Sequence, residues 1–399
     1  MDVENREITV GITNRRGVIS THDAEVVKRA RQAGGILIGT TNVPECLMAF
    51  ETFNAIFGVT NNPYDSRRSP GGSSGGEGAL ISACGSLIGI GSDIGGSVRI
   101  PAFHSGVFGL KATTGFVPTE GQLPAGFNDE GHKKQMFCVG PITRYIEDIS
   151  LCLKAFNPEG FKANKLDEDV DIRGIKLYYM EGLQTDCGSE PLAKVQKEKL
   201  REVIAFFEKE HQMIVHGVSF LELNEAVEML MTSVSEGSPV TQFICNDKSE
   251  LEGSKLFIEI AKSLFGISNH IFNLLIWIFD SSRDRRSEEQ KKALARKRDK
   301  LRKKILDILD NENAVLLMPT WAHTPAFHGY AVWSLPDVAY TGIWNALSLP
   351  ALHCPTGLDD NGLPTGIQII GAPNSERLLL EVGRRVKGFF GGWQAPWVK

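Results

Sequence analysis

Apolar residues recur along this chain at two spacings, which predict helices alternating with strands. Between Thr21 and Ala33 the positions Ala24, Val27, Ala30 and Ala33 return at helical spacing, with Thr21 or Asp23 placed to cap the first turn and Gly34-Gly35 to end the last. The unbroken run Ile36-Leu37-Ile38-Gly39-Thr40 behind it predicts a buried strand. A short helix is predicted around Gly78 to Cys84, a buried strand near Leu87 to Gly91, and strands at Val315 to Pro319 and Gly366 to Gly371. An apolar helix near Tyr340 to Leu349 and a closing helix from Ser375 to Lys387 complete the pattern. From about 165 to 310 the chain is more charged, poor in glycine and helical in period. With no internal repeat and no linker, one α/β domain spanning 1–399 with a helical insertion at about 165–310 is the economical reading.

Composition narrows the function classes. The 399 residues carry 43 Lys and Arg against 48 Asp and Glu, a net charge of −5, with 42% hydrophobic and 23% charged residues. Disorder, collagen-like repeats and a small disulfide scaffold are excluded, and a charge this near neutral gives no reason to expect nucleic acid as a partner. The seven cysteines are dispersed without a CxxC and read as buried free thiols of a reducing compartment. The acidic start, Met1 to Glu7, has no apolar stretch and reads as neither signal peptide nor anchor. Glycine crowds between Gly71 and Gly115, as it does where backbone turns sharply or approaches a ligand closely.

Two of these glycine turns carry serine, at Ser73 and Ser97. In Ile94-Gly95-Gly96-Ser97 the small residues let successive backbone N–H groups point into one concavity, and a helix is predicted just after, with Pro101 tolerated in its first turn. A hydroxyl beside such donors has the parts of an acyl-transfer site, with Asp93 and Arg99 flanking the turn as a rigidifying pair. Each feature also has a plain structural reading: a Gly-Gly-Ser turn is commonly only a turn, and an Asp near an Arg is commonly only an ion pair. Ser73 and Ser74 both match the G-x-S-x-G elbow of α/β-hydrolases, but that elbow needs a strand before the serine, and Asp65 to Pro70 is polar and ends in proline. No P-loop or HExxH occurs, and His323 and His328 stand without partners at metal spacing, so neither metal nor cofactor is expected.

Gly71-Gly72-Ser73-Ser74-Gly75-Gly76, Gly91 to Arg99 and Gly109-Leu110-Lys111 together resemble the signature of the amidase signature family. The resemblance runs from about Thr21 to the C-terminus and is similar in particular to the type 2 fatty-acid amide hydrolases. It implies a mixed β-sheet covered by helices on both faces, and a serine hydrolase that cleaves fatty-acid amides through an acyl-enzyme. By the family pattern Ser97 is the nucleophile and Ser73, after a cis peptide, the relay. Ile94, Gly95, Gly96 and Ser97 supply the oxyanion N–H groups, and Ser74, Asp93 and Arg99 the support. The family's lysine falls at or immediately before Met1, so the chain is expected to lack the N-terminal part of the domain. The alternative is a non-catalytic or truncated member that keeps a lipid-binding pocket.

One further segment bears on partners. Ser263 to Phe279 carries no charge and holds an apolar cluster from Ile271 to Phe279, yet at 17 residues it falls short of the about 20 that span a bilayer. Arg283 to Lys304 then carries twelve Lys and Arg against four Asp and Glu, with Leu294, Leu301, Ile305 and Ile308 on one face. Leu256 to Lys304 is therefore expected to meet a membrane surface or cap a lipid channel, as a peripheral contact on the cytoplasmic side, the structural alternative being a core helix followed by a solvated one. An N-terminal anchor is carried by family members and is not expected in this chain.

Overall fold

Strand β8 (Ala314–Pro319) shows why the protein is layered. Its alternate residues, Val315 and Leu317 on one side and Leu316 and Met318 on the other, enter two separate apolar clusters, so both faces of the sheet are buried. The computed structural model describes residues 1–124, 132–183, 188–235, 251–282, 286–309 and 313–398. Its main sheet has eight strands in the order β3-β5-β4-β9-β10-β8-β6-β7: β3 is Ile88–Asp93, β4 Phe108–Lys111, β5 Cys138–Thr143, β6 Lys176–Tyr179, β7 Val215–Gly217, β9 Ala351–Leu358 and β10 Pro364–Gly371. The ladder is antiparallel from β3 to β8, while β8, β6 and β7 run parallel. A two-stranded ribbon, β1 (Phe53–Asn54) with β2 (Gly58–Val59), stands apart.

Helices cover both faces. On one side lie residues of Ile146–Phe156, Lys194–Glu210 and Glu376–Phe390. In the last of these Leu379, Val382 and Val386 recur at helical spacing, and Gly391 ends the helix in a left-handed conformation at φ +82°. The other side receives Ala226–Ser235, Glu288–Leu309 and Ala339–Ala346. This is an α/β fold with a mixed sheet, as the resemblance implied. Helices dominate the stretch from 165 to 310, but β6 and β7 lie within it and extend the same sheet, so it is not wholly an insertion on the outside.

Three local expectations are corrected. Ile36 to Thr40 is no strand: Ile36 and Ile38 are exposed and no ladder includes them. An apolar run is buried only where a neighbouring strand takes up its N–H and C=O groups, and among the described residues none does. The first helix is Glu25–Gln32, and neither Thr21 nor Asp23 caps it; Asp23 instead accepts the Glu4 N–H at 2.8 Å and pairs with Arg31. Of the cysteines described, Cys46, Cys138, Cys152 and Cys354 are buried and free, whereas Cys84 is exposed; Cys187 and Cys245 lie outside the described residues.

The segment expected to meet a membrane divides differently from its sequence pattern. Helix Phe272–Ser282 is core, with Leu274 and Leu275 wholly buried. The preceding helix, Gly253–Leu264, and the turn after it expose Phe257, Ile258, Leu264, Phe265 and Ile267 instead. Much of the basic run is matched within the chain, largely in exposed pairs: Lys297 pairs with Glu225 at 2.6 Å, Lys304 with Glu222, Lys303 with Asp307, and the Arg302 guanidinium donates to the Leu347 carbonyl at 3.0 Å. Leu294, Leu301 and Ile305 turn inward, in keeping with the structural alternative, and residues 283–285 lie outside the described residues. No helix among the described residues is long and apolar enough to cross a membrane.

Leu275→Ala should therefore lower the unfolding free energy by about 2–5 kcal/mol, the usual range for a buried leucine. Phe265→Ser should change it by under about 0.5 kcal/mol. Urea unfolding followed by circular dichroism reads both.

Candidate active site

Strand β3 delivers Asp93 at its last position, and the helix Arg99–His104 begins six residues later. The intervening Ile94-Gly95-Gly96-Ser97-Val98 is the second serine turn. Asp93 and Arg99 have no exposure at all and are bonded side-on, Nε to Oδ2 and Nη2 to Oδ1, both at 3.1 Å. The carboxylate also accepts the Gly96 N–H at 2.7 Å, the Val98 N–H at 3.2 Å and the Asn345 amide at 2.9 Å. The guanidinium reaches further, to Asn345 Oδ1 at 2.6 Å and Gln368 Oε1 at 3.1 Å. Burial by itself raises the Asp93 carboxyl, but the Arg99 charge and these bonds outweigh it and hold the group below its ordinary value.

The turn's backbone leaves no room for change. Gly96 sits at φ +124°, where L side chains rarely go, and a Cβ there would lie 2.1 Å from Thr341 Oγ1. That hydroxyl donates to the Gly95 carbonyl at 2.7 Å, so the helix Ala339–Ala346 holds the turn from above. Of the four N–H groups expected to face a substrate oxygen, Gly96 departs from expectation, because its N–H is taken by Asp93. Those of Ile94, Gly95 and Ser97 have no partner among the described residues.

The first serine turn is joined to the second directly. Ser74 N–H donates to the Ser97 carbonyl at 3.2 Å, the Gly72-Ser73 peptide is cis, and Thr52 Oγ1 donates to the Gly71 carbonyl at 2.9 Å while accepting the Gly75 N–H at 3.1 Å. Ser73, Ser74 and Ser97 are all buried. The helix Gly75–Ser82 follows Ser74 at once, but no strand leads directly into Ser73, residues 60–72 being without one, which speaks against the nucleophile-elbow alternative. Lys111 is buried elsewhere, its Nζ donating to the Leu349 carbonyl at 2.9 Å.

In front of Ser97 opens an apolar cleft. Ile94, Gly95 and Ser97 form its base, and Leu47 to Phe50, Leu230, Ile276, Trp277, Ala331, Leu335 and Val338 contribute to its walls. Behind the last of these, Glu190, His323 and Asp337 bring ligand-type atoms within 4.8 Å of one another. Local spacing offers His323 no partner, because Glu190 is far from it along the chain. In the structure its ring closes on Asp337 at 3.2 Å and on the Thr324 carbonyl at 2.9 Å.

Asn345, Gln368 and Thr341 are the supporting residues that residue-by-residue reading passes over. Their signal is that of single polar residues inside apolar runs, Ile343-Trp344-Asn345-Ala346 and Ile367-Gln368-Ile369. A polar group in such a place needs a buried partner.

A hydroxyl on a rigid turn with free N–H donors, opening on an apolar cleft and carried by a mixed sheet between helical layers, is the equipment of an amide-bond hydrolase. Residues 1–380 match the family model described as Amidase, and the chain belongs to that family. It is 34% identical to human fatty-acid amide hydrolase 2 over 393 residues, which cover 97% of this chain and 73% of the relative. It is also 32% identical to fatty-acid amide hydrolase 2-A of Danio rerio over 401 residues, again 97% of this chain and 73% of the relative. Among solved structures, 6-aminohexanoate cyclic dimer hydrolase complexed with substrate superposes on 99% of this chain and 84% of its own with a TM-score of 0.76 at 22% identity, a likeness of fold.

Beside the first turn, Glu77 accepts from Thr41 Oγ1 at 2.8 Å, and burial lifts its carboxyl from the usual 4.5 to about 7 against the opposing pull of that bond. A carboxyl raised on folding is at no disadvantage below its unfolded value and becomes a growing one as pH rises toward its folded value. Glu77→Gln should therefore raise the melting temperature relative to the parent at pH 8 and give no such gain at pH 4.5. Calorimetry at the two pH values measures the difference, and an equal shift at both refutes the assignment.

Proposed function

We propose that this amidase acts on amides of long acyl chains and that Ser97 is the residue acylated. The observation that carries the proposal is the placement of Ser97 at the junction of an apolar cleft and a turn in which the N–H groups of Ile94, Gly95 and Ser97 have no partner among the described residues. The identity with fatty-acid amide hydrolase 2 supports the same substrate class. In the proposed reaction Ser97 Oγ attacks the amide carbonyl while the N–H groups of Ile94, Gly95 and Ser97 receive the developing oxyanion. Each such donor is typically worth about 10²–10³ in rate. Ser73 passes the Ser97 proton to the base and returns it to the amine nitrogen as the C–N bond breaks and the amine leaves; a neutral alcohol cannot keep a second proton at neutral pH, so the base in this reading is the family's lysine. A lysine desolvated enough to be neutral fits that role. Ser74, Asp93 and Arg99 keep the two turns in register.

A long-chain fluorophosphonate, applied to a form that carries the lysine, should label Ser97, and peptide mapping locates the adduct. An adduct on Ser73 or Ser74 with Ser97 untouched overturns the assignment. Absence of any adduct together with retained lipid binding favours the non-catalytic alternative.

We also place a membrane-surface contact at Phe257, Ile258, Leu264, Phe265 and Ile267, because five large apolar side chains exposed within eleven residues make a patch rather than scattered contacts. A variant with Ile258, Leu264 and Phe265 changed to Ser should float less with anionic liposomes while keeping its circular dichroism spectrum. Unchanged flotation refutes the contact.

A further inference from the structure

The walls of the cleft come from four stretches of chain far apart in sequence: Leu47 to Phe50, Leu230 to Val234, Asn273 to Trp277, and Ala331 to Val338. The first is bounded by two glutamates, Glu45 and Glu51, both essentially without exposure. Each makes the same two-point contact. Glu45 places Oε1 2.7 Å from His270 Nδ1 and accepts the Ile271 N–H on Oε2 at 2.8 Å. Glu51 places Oε1 2.6 Å from His328 Nδ1 and accepts the Gly329 N–H on Oε2 at 2.9 Å.

In both cases one carboxylate grips a histidine ring and the backbone N–H of the next residue, and in both the gripped residues stand immediately before a wall. His270-Ile271 leads into the helix Phe272–Ser282, which supplies Asn273, Ile276 and Trp277, and His328-Gly329 leads into the segment that supplies Ala331, Val332, Leu335 and Val338. The strip between the two glutamates is not relaxed backbone. Cys46 and Leu47 lie at φ +54° and +63°, and a non-glycine pair in the left-handed region persists only where the surroundings over-determine it. A carboxylate fork fixes direction as well as distance, and a charge-assisted bond of this kind is about twice as strong as a neutral one. Neither glutamate lines the cleft, so neither touches what lies in it.

We propose that Glu45 and Glu51 are positioning residues that set the width of the acyl cleft, Glu45 fastening the wall that carries Trp277 and Glu51 the wall that carries Ala331 to Val338, so that selectivity for a long extended chain depends on the two forks. The inference rests on the reading of this cleft as the acyl site. It differs from that reading in placing chain-length selection on residues outside the cleft.

The test uses two readouts on the whole chain. One is the equilibrium binding of a long-chain fatty amide, measured by displacement of a fluorescent long-chain fatty acid. The other is the rate of Ser97 labelling by a small ethyl fluorophosphonate in the lysine-bearing form. Glu45→Ala and Glu51→Ala should each weaken long-chain binding by about tenfold, the scale of one charge-assisted hydrogen bond, and leave small-probe labelling within about twofold. Glu45→Gln and Glu51→Gln should restore most of the binding, since the amide oxygen still accepts the backbone N–H and the amide nitrogen donates to the ring. If the alanine variants do not fold, His270→Ala and His328→Ala remove one arm of each fork and should weaken long-chain binding by a smaller factor. Equal loss of both readouts, or unchanged long-chain binding in folded variants, overturns the inference. Failure of the parent to label at Ser97 with the binding pattern as expected defeats the functional reading and leaves the forks standing.

Discussion

The ion pair between Asp93 and Arg99 is the constraint on which the rest of the site depends. Two charges taken wholly out of water cost several kcal/mol each in desolvation, and the pair is tolerable only if nearly every lone pair and N–H is used. Here Asp93 accepts from two guanidinium nitrogens, two backbone N–H groups and the Asn345 amide, and Arg99 passes its remaining contacts to Asn345 and Gln368. The network ties the end of β3, the helix Arg99–His104, the helix Ala339–Ala346 and strand β10 into one object. Its cost is repaid in geometry, since Asp93 draws in the N–H groups of Gly96 and Val98 and those of Ile94, Gly95 and Ser97 are left over.

Polar and apolar surroundings meet at Ser97. Behind the turn the charged pair and its amide neighbours satisfy one another, and in front lies hydrocarbon. N–H donors work harder beside an apolar cleft than in water, because less solvent competes with or screens them. The steric wall at Gly96 is a consequence of the same arrangement. Thr341 must stand close enough to hold the Gly95 carbonyl, and at that distance no side chain fits on residue 96.

How much of this is legible in the sequence follows from the range of the interactions. The helix after Ser97, the pairing of Asp93 with Arg99, strands β8 and β10 and the closing helix are read from spacings of a few residues, and there local pattern and structure agree; β3 forms close to its expected place but as an edge of the sheet, so Leu87 and Ile88 are exposed instead of buried. Ile36 to Thr40 misleads because an apolar run reports hydrophobicity and not the presence of a ladder partner. The apolar cluster from Ile271 to Phe279 packs on protein and lends Asn273, Ile276 and Trp277 to the cleft wall, in line with the channel half of the expectation; periodicity cannot tell a helix that packs on protein from one that packs on lipid, and the large exposed apolar residues are instead Phe257, Ile258, Leu264, Phe265 and Ile267. The forks at Glu45 and Glu51 span 225 and 277 residues, and nothing local marks a glutamate that will meet a histidine at that separation.

The two halves of the site are held by different amounts of bonding, and this sets where the protein can yield. The serine turn is fixed by a closed network in which removal of one partner leaves a buried charge uncompensated, a loss of about 3–5 kcal/mol. Each side wall is tied to the Leu47–Phe50 strip by a single fork that ends on a histidine whose ring retains some contact with solvent, 11% for His270 and 26% for His328. Local opening takes the path that breaks the fewest buried contacts. Each wall also packs through buried side chains, Leu274 and Leu275 on one and Val338 on the other, so what the fork decides is the wall's tie to the strip and not its place in the core.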